Sequence, residues 1–409
     1  MTPLKTVSEV KVGLDFGEGA IAVGRLAVRA RRIYFEYDPD FISQGLEIAP
    51  LKMPLQPGLR TFDRTLFDGL PGVFNDSLPD GWGRLLFDRF ARSQQMLPAD
   101  LSPLDRLAYV GRHGLGALVY EPDCSLSDNS QDISLDTLAK QARQVLEGES
   151  NEVLAELIAL NGSSAGARPK ALIGINAAQD HIIHGVHDLP AGYLPWIVKF
   201  ANTQDGLDAG AIEYVYALMA KDCGIDMPDV CLFAAQRGAG YFAIKRFDRD
   251  GSVRYHMHTA CGLLHSDFRI PSMDYEELIA LTGMLTRDAR EVEKMFRLAV
   301  FNVLAHNRDD HSKNFTFLMD SNGRWQLSPA YDLTFSSGPG GEQSTTVMGE
   351  GHSPGITHLL SLAEEANIKQ AHAHDIIQRT QASIGRWPEL AKLHGVSAAN
   401  IKLIASKLL

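Results

Sequence analysis

Asn307-Arg308-Asp309-Asp310-His311-Ser312-Lys313-Asn314 gathers carboxylate, amide, imidazole and ammonium groups in one short stretch, and a further carboxylate follows in Ser328-Pro329-Ala330-Tyr331-Asp332-Leu333. Moving a phosphoryl group needs a carboxylate that orients the attacking hydroxyl and oxygen ligands that hold magnesium against nucleotide phosphates. This stretch, with Asp309, Asp310 and Asn314, and the downstream Asp332 offer both kinds of group. Glu291 to Ala305, ahead of the stretch, is apolar on nearly every face and predicts a helix buried in a core. Phe315 to Met319 predicts a strand, Asp320-Ser321-Asn322-Gly323 a turn with the Asn-Gly hairpin signal, and Arg324 to Leu327 the returning strand. A hairpin brings the chain back to its start, so Asp332 is expected near Asp309 and Asn314.

A second set of residues suits phosphate binding. Gly162-Ser163-Ser164-Ala165-Gly166-Ala167-Arg168-Pro169-Lys170 runs into the apolar strand 171–175, and its small residues let backbone amides approach phosphates closely. It is neither a Walker loop nor Gly-x-Gly-x-x-Gly. Tyr193 to Phe200 is a strand with one charge, Lys199, among large apolar neighbours, and a lysine so placed needs an anion or a route to water. A helix from about Ala209 to Cys223 follows. It carries Glu213, which is either a partner for Lys199 or an ordinary first-turn glutamate.

Buried helix, Asp/Asn loop, hairpin and single Asp stand in the order of a protein-kinase catalytic loop and metal-binding segment. No His-Arg-Asp precedes the loop, however, and Tyr331-Asp332-Leu333 stands where Asp-Phe-Gly would. N-x-D-x-H-x-K-N with a downstream Tyr-Asp resembles the HipA family, serine/threonine kinases that act as toxins of bacterial toxin–antitoxin pairs. Ser-x-(Ala/Gly)-Gly-Ala-x-x-Lys resembles that family's phosphate loop, whose leading serine is the autophosphorylation site. This maps to Ser163, with Ser164 the neighbouring alternative. Ile244-Lys245-Arg246-Phe247-Asp248-Arg249 resembles the hinge, where main-chain groups of Lys245 and Phe247 would hold adenine. Leu78-Pro79-Asp80-Gly81-Trp82 resembles the family's N-terminal subdomain; on physical grounds alone it is a turn.

The resemblance implies an α+β, kinase-like bilobal fold with an N-terminal β-rich subdomain over 1–125, an N-lobe over 126–250 and a helical C-lobe over 251–409. It implies transfer of the ATP γ-phosphoryl to a protein hydroxyl with Mg2+. Lys199 and Ala165 to Lys170 would hold phosphates, Arg246 would lie in the hinge, and His311 and Lys313 would line the nucleotide. The implied partners are a HipB-like helix-turn-helix antitoxin, operator DNA reached only through it, and a translation component such as an aminoacyl-tRNA synthetase as substrate. The alternative is a kinase-like binding protein without catalysis that acts through an antitoxin.

Bulk properties bound these readings. The chain has 409 residues, 45% hydrophobic and 22% charged, and suggests two or three lobes. Its four cysteines form no C-x-x-C pair, which points to a reduced, cytoplasmic setting without structural zinc. Met1 to Val12 is too short an apolar run for a signal peptide, and no apolar run is long enough to span a membrane. A net charge of -11 disfavours broad nucleic-acid binding.

Other motifs carry weaker readings. Asp15-Phe16-Gly17-Glu18-Gly19 is read as a hairpin turn in an opening antiparallel sheet, in preference to an actin-like phosphate turn. Gly111 to Gly116 is read as structural, Pro122 to Asp132 as a linker, and Ser336 to Pro354 as a mobile segment after Asp332. His256, His258, His265 and Asp267 raise a metal site, and His256, His258, Asp310 and His311 a metal-dependent hydrolase.

Overall fold

The structure, a computed structural model, describes residues 4–126, 133–148, 154–161, 166–185, 189–202, 205–270 and 273–408. The expectations for Ser163, Ser164 and Ala165, and for most of the linker, lie outside the described residues. The chain packs as two compact units. One comprises Met1–Asp205, Ala243–His258 and Met319–Gly323, and the other Gly206–Phe242, Thr259–Leu318 and Arg324–Leu409.

In the first unit β1 (Glu9–Asp15), β2 (Ala20–Arg29), β3 (Arg32–Tyr37) and β4 (Leu118–Glu121) form an antiparallel sheet in the order β3-β2-β1-β4. Alternation along β1 turns Val10, Val12 and Leu14 into the core, as the period of a half-buried strand requires. The turn after β1 is closed by the Asp15 carboxylate, which accepts from Gly17 N at 2.9 Å and Gly19 N at 3.2 Å. The hairpin reading of this turn holds.

Helices α1 (Pro39–Gln44), α2 (Gly72–Asn75), α3 (Gly81–Ser93) and α4 (Pro103–Val110) pack in the same unit, with Phe35, Phe74, Trp82 and Phe90 fully buried. Pro39 and Pro103 stand in the first turns of α1 and α4, where proline's missing N–H costs nothing, and Ser102 with Asp105 forms a capping box on α4. Helix α5 (Leu135–Glu147) is followed by α6 (Leu154–Asn161), whose short, all-round apolar pattern gives no clear period in the sequence. Next, β5 (Lys170–Asn176), β6 (Ile182–His184) and β7 (Tyr193–Lys199) pair antiparallel in the order β6-β5-β7. Every residue of β5 from Lys170 to Ile175 is buried, which explains its unbroken apolar run.

The second unit is mostly helical. It contains α7 (Ala209–Asp222), α8 (Ala260–Leu264), α9 (Tyr275–Thr286), α10 (Ala289–Leu304), α11 (Ile356–Glu365), α12 (Gln370–Ile384), α13 (Trp387–Leu393) and α14 (Ala398–Ala405). Helix α10 is the predicted buried helix. The Asp288 side chain caps its start, and the Tyr216 hydroxyl donates to the Ala305 carbonyl at its end, at 2.7 Å. Helix α13, too short for a clear period, was not expected.

The short strands are β8 (Val230–Phe233), β9 (Tyr241–Lys245), β10 (Arg249–Asp250), β11 (Val253–Arg254), β12 (His256–Thr259), β13 (Met273–Asp274), β14 (Thr316–Met319), β15 (Trp325–Leu327) and β16 (Thr345–Thr346). β14 and β15 are the predicted hairpin.

A buried ion cluster organises the first unit just past β9. Asp248 accepts two bonds from Arg246, at 2.9 and 2.7 Å, one from Arg249 at 2.7 Å and one from the Gly116 amide at 2.8 Å. Arg249 also donates to the Gly114 and Gly116 carbonyls, at 3.0 and 2.8 Å, so the Gly-rich segment is structural as expected. Burial alone would raise the Asp248 pKa, but the two guanidinium groups overcome it and hold the carboxyl well below its usual range. Asp248→Ala strands two buried cations. A loss of about 3–5 kcal/mol is expected in urea denaturation, as for breaking a buried ion pair, and a shift below 1 kcal/mol would contradict this account.

Candidate functional site

The loop that leaves α10 is built around Asp310 rather than Asp309. Asp310 is 1% exposed, and its carboxylate accepts from the Tyr275 hydroxyl (2.8 Å), Gln343 Nε2 (2.9 Å), Ser344 N (3.0 Å) and Thr345 N (3.2 Å). Asn302 of α10 donates to the same Tyr275 hydroxyl at 2.8 Å, and Asn307 donates to the Asn302 side chain at 2.9 Å. A buried carboxylate must collect donors of this kind or lose much of its solvation energy.

The same contacts hold the segment after Asp332. Thr345 and Thr346 pair in parallel with Met273 and Asp274, and Ser344 N donates to the Arg308 carbonyl at 3.1 Å. The expectation of a loose segment over 336–354 is therefore corrected for 343–346, which is stitched to the catalytic-type loop. Sequence reasoning missed the organising role of Asp310. The one signal was a second aspartate beside Asp309, and adjacent acids give no clue to which is buried.

On either side of this anchor, the sequence-predicted residues of the second unit are drawn together. Asn314 Nδ2 donates to the Asp309 carbonyl at 2.8 Å, which leaves its oxygen as the end available to a cation. The Tyr331 hydroxyl donates to the Lys313 carbonyl at 2.6 Å and lies 2.7 Å from Thr316 Oγ1. The residue before Asp332 is thus fastened to the residue before Asn314. Asp332 has φ 58°, a left-handed conformation sparse for a residue with a side chain. The Lys313 ammonium lies 4.5 Å from the centre of the Phe268 ring, and the His311 ring centroid is 5.4 Å from the same ring. An amide oxygen and a carboxylate make an oxygen donor set, which suits a hard cation that takes its remaining ligands from phosphate and water.

The first unit carries the other predicted residues. Lys170 and Lys199 are direct partners across β5 and β7. The Lys170 Nζ lies 2.5 Å from where a Cβ on Gly166 would stand, and Gly166 has φ +106°, a conformation that favours glycine. Arg168 pairs with Asp205 at 3.0 Å, Pro169 accepts from Phe200 N at 2.8 Å, and Ala167 is exposed. In the hinge stretch the Arg246 amide donates to the Pro195 carbonyl at 2.9 Å. The Arg246 side chain is engaged by Asp248.

The histidine readings are resolved too. His256 Nε2 lies 2.9 Å from the Ile48 carbonyl, and His258 Nδ1 lies 2.6 Å from the Asp76 carboxylate. Burial drives the His256 pKa down to about 3. His265 ends α8 in a left-handed conformation. Among the described residues no group of three or more His, Cys, Asp or Glu could hold a metal ion. Glu213 is buried, at 2% exposure, so it is no ordinary surface glutamate.

This arrangement, an α+β architecture with a pinned Asp/Asn loop and a lysine-bearing sheet, is that of a kinase-like protein. Two family models match the chain, HipA N-terminal domain over residues 18–121 and HipA-like C-terminal domain over residues 162–387. The chain belongs to the HipA family. It is similar over 97% of its length, and 94% of the other chain, to HipA in the Shewanella oneidensis MR-1 toxin–antitoxin complex of HipA, HipB and operator DNA, with a TM-score of 0.67 and 16% identity, a likeness of fold.

Two candidate kinases of Sinorhizobium fredii also match. Y4dM is 30% identical over 153 residues, 34% of this chain and 36% of the relative, and Y4mE is 30% identical over 152 residues, 34% of each. The match spans about a third of the length of these curated relatives. Among the described residues no helix is long and apolar enough to cross a membrane.

Burial pushes the Asp310 pKa up to about 7, against the donors from Tyr275, Thr345 and Gln343. Because this lies above the unfolded value of about 3.9, the folded protein keeps a proton that the unfolded chain releases. The associated stability is complete below pH ~4 and is lost as pH rises through ~7. Asp310→Asn cannot titrate. Between pH 5 and pH 8 the stability of the wild type should fall relative to this variant by about 2–3 kcal/mol in urea denaturation, at 1.36 kcal/mol per pKa unit. A gap that does not change with pH would refute the assignment.

Proposed function

We propose that this chain is an ATP-dependent serine/threonine protein kinase of the HipA toxin type. The observation that carries the reading is the pinned loop, in which Asn314 closes on the Asp309 carbonyl while Asp310 anchors the loop from within. Asp309 orients the attacking hydroxyl, and Asn314 and Asp332 ligate Mg2+. Lys199 and the loop from Ala165 to Lys170 hold the ATP phosphates. Main-chain groups of Lys245 and Phe247 bind adenine, and His311 and Lys313 line the nucleotide. Bound Mg2+–ATP supplies the phosphoryl group and part of the charge neutralisation that its transfer needs. Three segments divide these tasks, with boundaries near residues 125 and 250.

The protein hydroxyl belongs to a translation component such as an aminoacyl-tRNA synthetase, and the partner is a HipB-like antitoxin that brings operator DNA with it. The solved relative is itself a complex with HipB and operator DNA, which supports this partner class. The setting is cytoplasmic. Autophosphorylation falls on Ser163, where close to two negative charges would repel ATP phosphates and inhibit the enzyme.

Transfer of radiolabel from γ-labelled ATP to proteins of a cell extract should fall about 10²- to 10⁴-fold in Asp309→Gln, the range for a lost general base, while ATP binding persists. ATP binding without any transfer by the wild type would instead indicate a kinase-like binding protein. Ser163→Ala should abolish self-labelling and leave ATP affinity unchanged, and undiminished self-labelling would move the site to Ser164.

A further inference from the structure

Asp80 stands at the N-cap of α3, yet its side chain makes no capping bond to its own helix. N-cap aspartates ordinarily accept from the N2 or N3 amide. Here the Asp80 carboxylate accepts instead from the amide of Gly166, and the Trp82 amide, one of the orphan donors of the helix start, donates to the Gly166 carbonyl at 3.0 Å. One peptide residue thus caps the helix and is itself held on both faces, across a separation of 86 residues.

The fit depends on glycine at both ends. Gly81 has φ +44°, and a Cβ there would lie 2.5 Å from the Gly166 carbonyl oxygen; Gly166 has φ +106°. Gly166 is also the residue over which the Lys170 ammonium lies. The contact therefore joins the helix of the Leu-Pro-Asp-Gly-Trp motif to the described end of the phosphate-binding segment.

We propose that Asp80 is a positioning residue for nucleotide phosphates, and that the start of α3 and the phosphate loop cap one another, so that each is ordered only when the other is in place. This rests on the kinase reading above. Because coupling is reciprocal, ATP binding should also protect the Gly166 and Trp82 amides.

The test uses the full chain and Mg2+–ATP. Asp80→Ala removes the acceptor and should raise the KM for ATP about ten-fold with kcat within two-fold. It should also speed hydrogen exchange at the Gly166 and Trp82 amides at least ten-fold without nucleotide. Asp80→Asn keeps an acceptor oxygen and should restore both readouts to near wild type. Gly81→Ala, which forces Gly166 away, should reproduce Asp80→Ala.

Faster exchange in Asp80→Ala with an unchanged KM would overturn the positioning role. Unchanged exchange at both amides would overturn the mutual cap itself. A wild-type protein that binds no ATP would overturn the kinase reading and the role that rests on it, while the exchange data would still report on the cap.

Discussion

The second unit depends on one buried carboxyl group. A carboxylate taken from water and left without donors costs more than a small protein's whole stability margin, so wherever Asp310 is buried the chain must deliver hydrogen bonds to it. Four donors come from two places far apart in sequence, the first turn of α9 and the strand-forming segment 343–345. That demand links the helix before the loop, the loop itself and the segment after Asp332. Asp309 and Asn314, the residues proposed for chemical roles, sit on this frame, with the Asn314 side chain donating to the Asp309 carbonyl.

Positive charge sets an analogous constraint in the first unit. Arg246 and Arg249 are satisfied internally by Asp248 and by the carbonyls of the Gly114–Gly116 turn, so these cations are structural. Lys170 and Lys199 are partners across neighbouring strands of the same unit.

Much of this architecture was legible in the amino-acid sequence. Periodicity located α7, α10 and the β14–β15 hairpin, because one-sided or complete burial leaves a mark on every turn or every second residue. The spacing of Asp309, Asn314 and Asp332 exposed the candidate chemistry, because the loop and hairpin are local and bring their ends together without help from distant chain. Short elements such as α6 and α13 carry too few residues for a period to emerge.

Tertiary structure alone decided which polar groups are buried and who satisfies them. Asp309 and Asp310 are chemically identical neighbours, and only the fold makes the second an anchor with a raised pKa. His256 and His258 alternate as ligands on a strand would, but Ile48 and Asp76, which lie far away in the chain, claim them. Leu78-Pro79-Asp80-Gly81-Trp82 read as a turn until Gly166 was found capping its helix. The physical reason is common to all three cases. Secondary structure follows from interactions between residues a few positions apart, whereas the partner of a buried polar group is set by which distant segment packs against it.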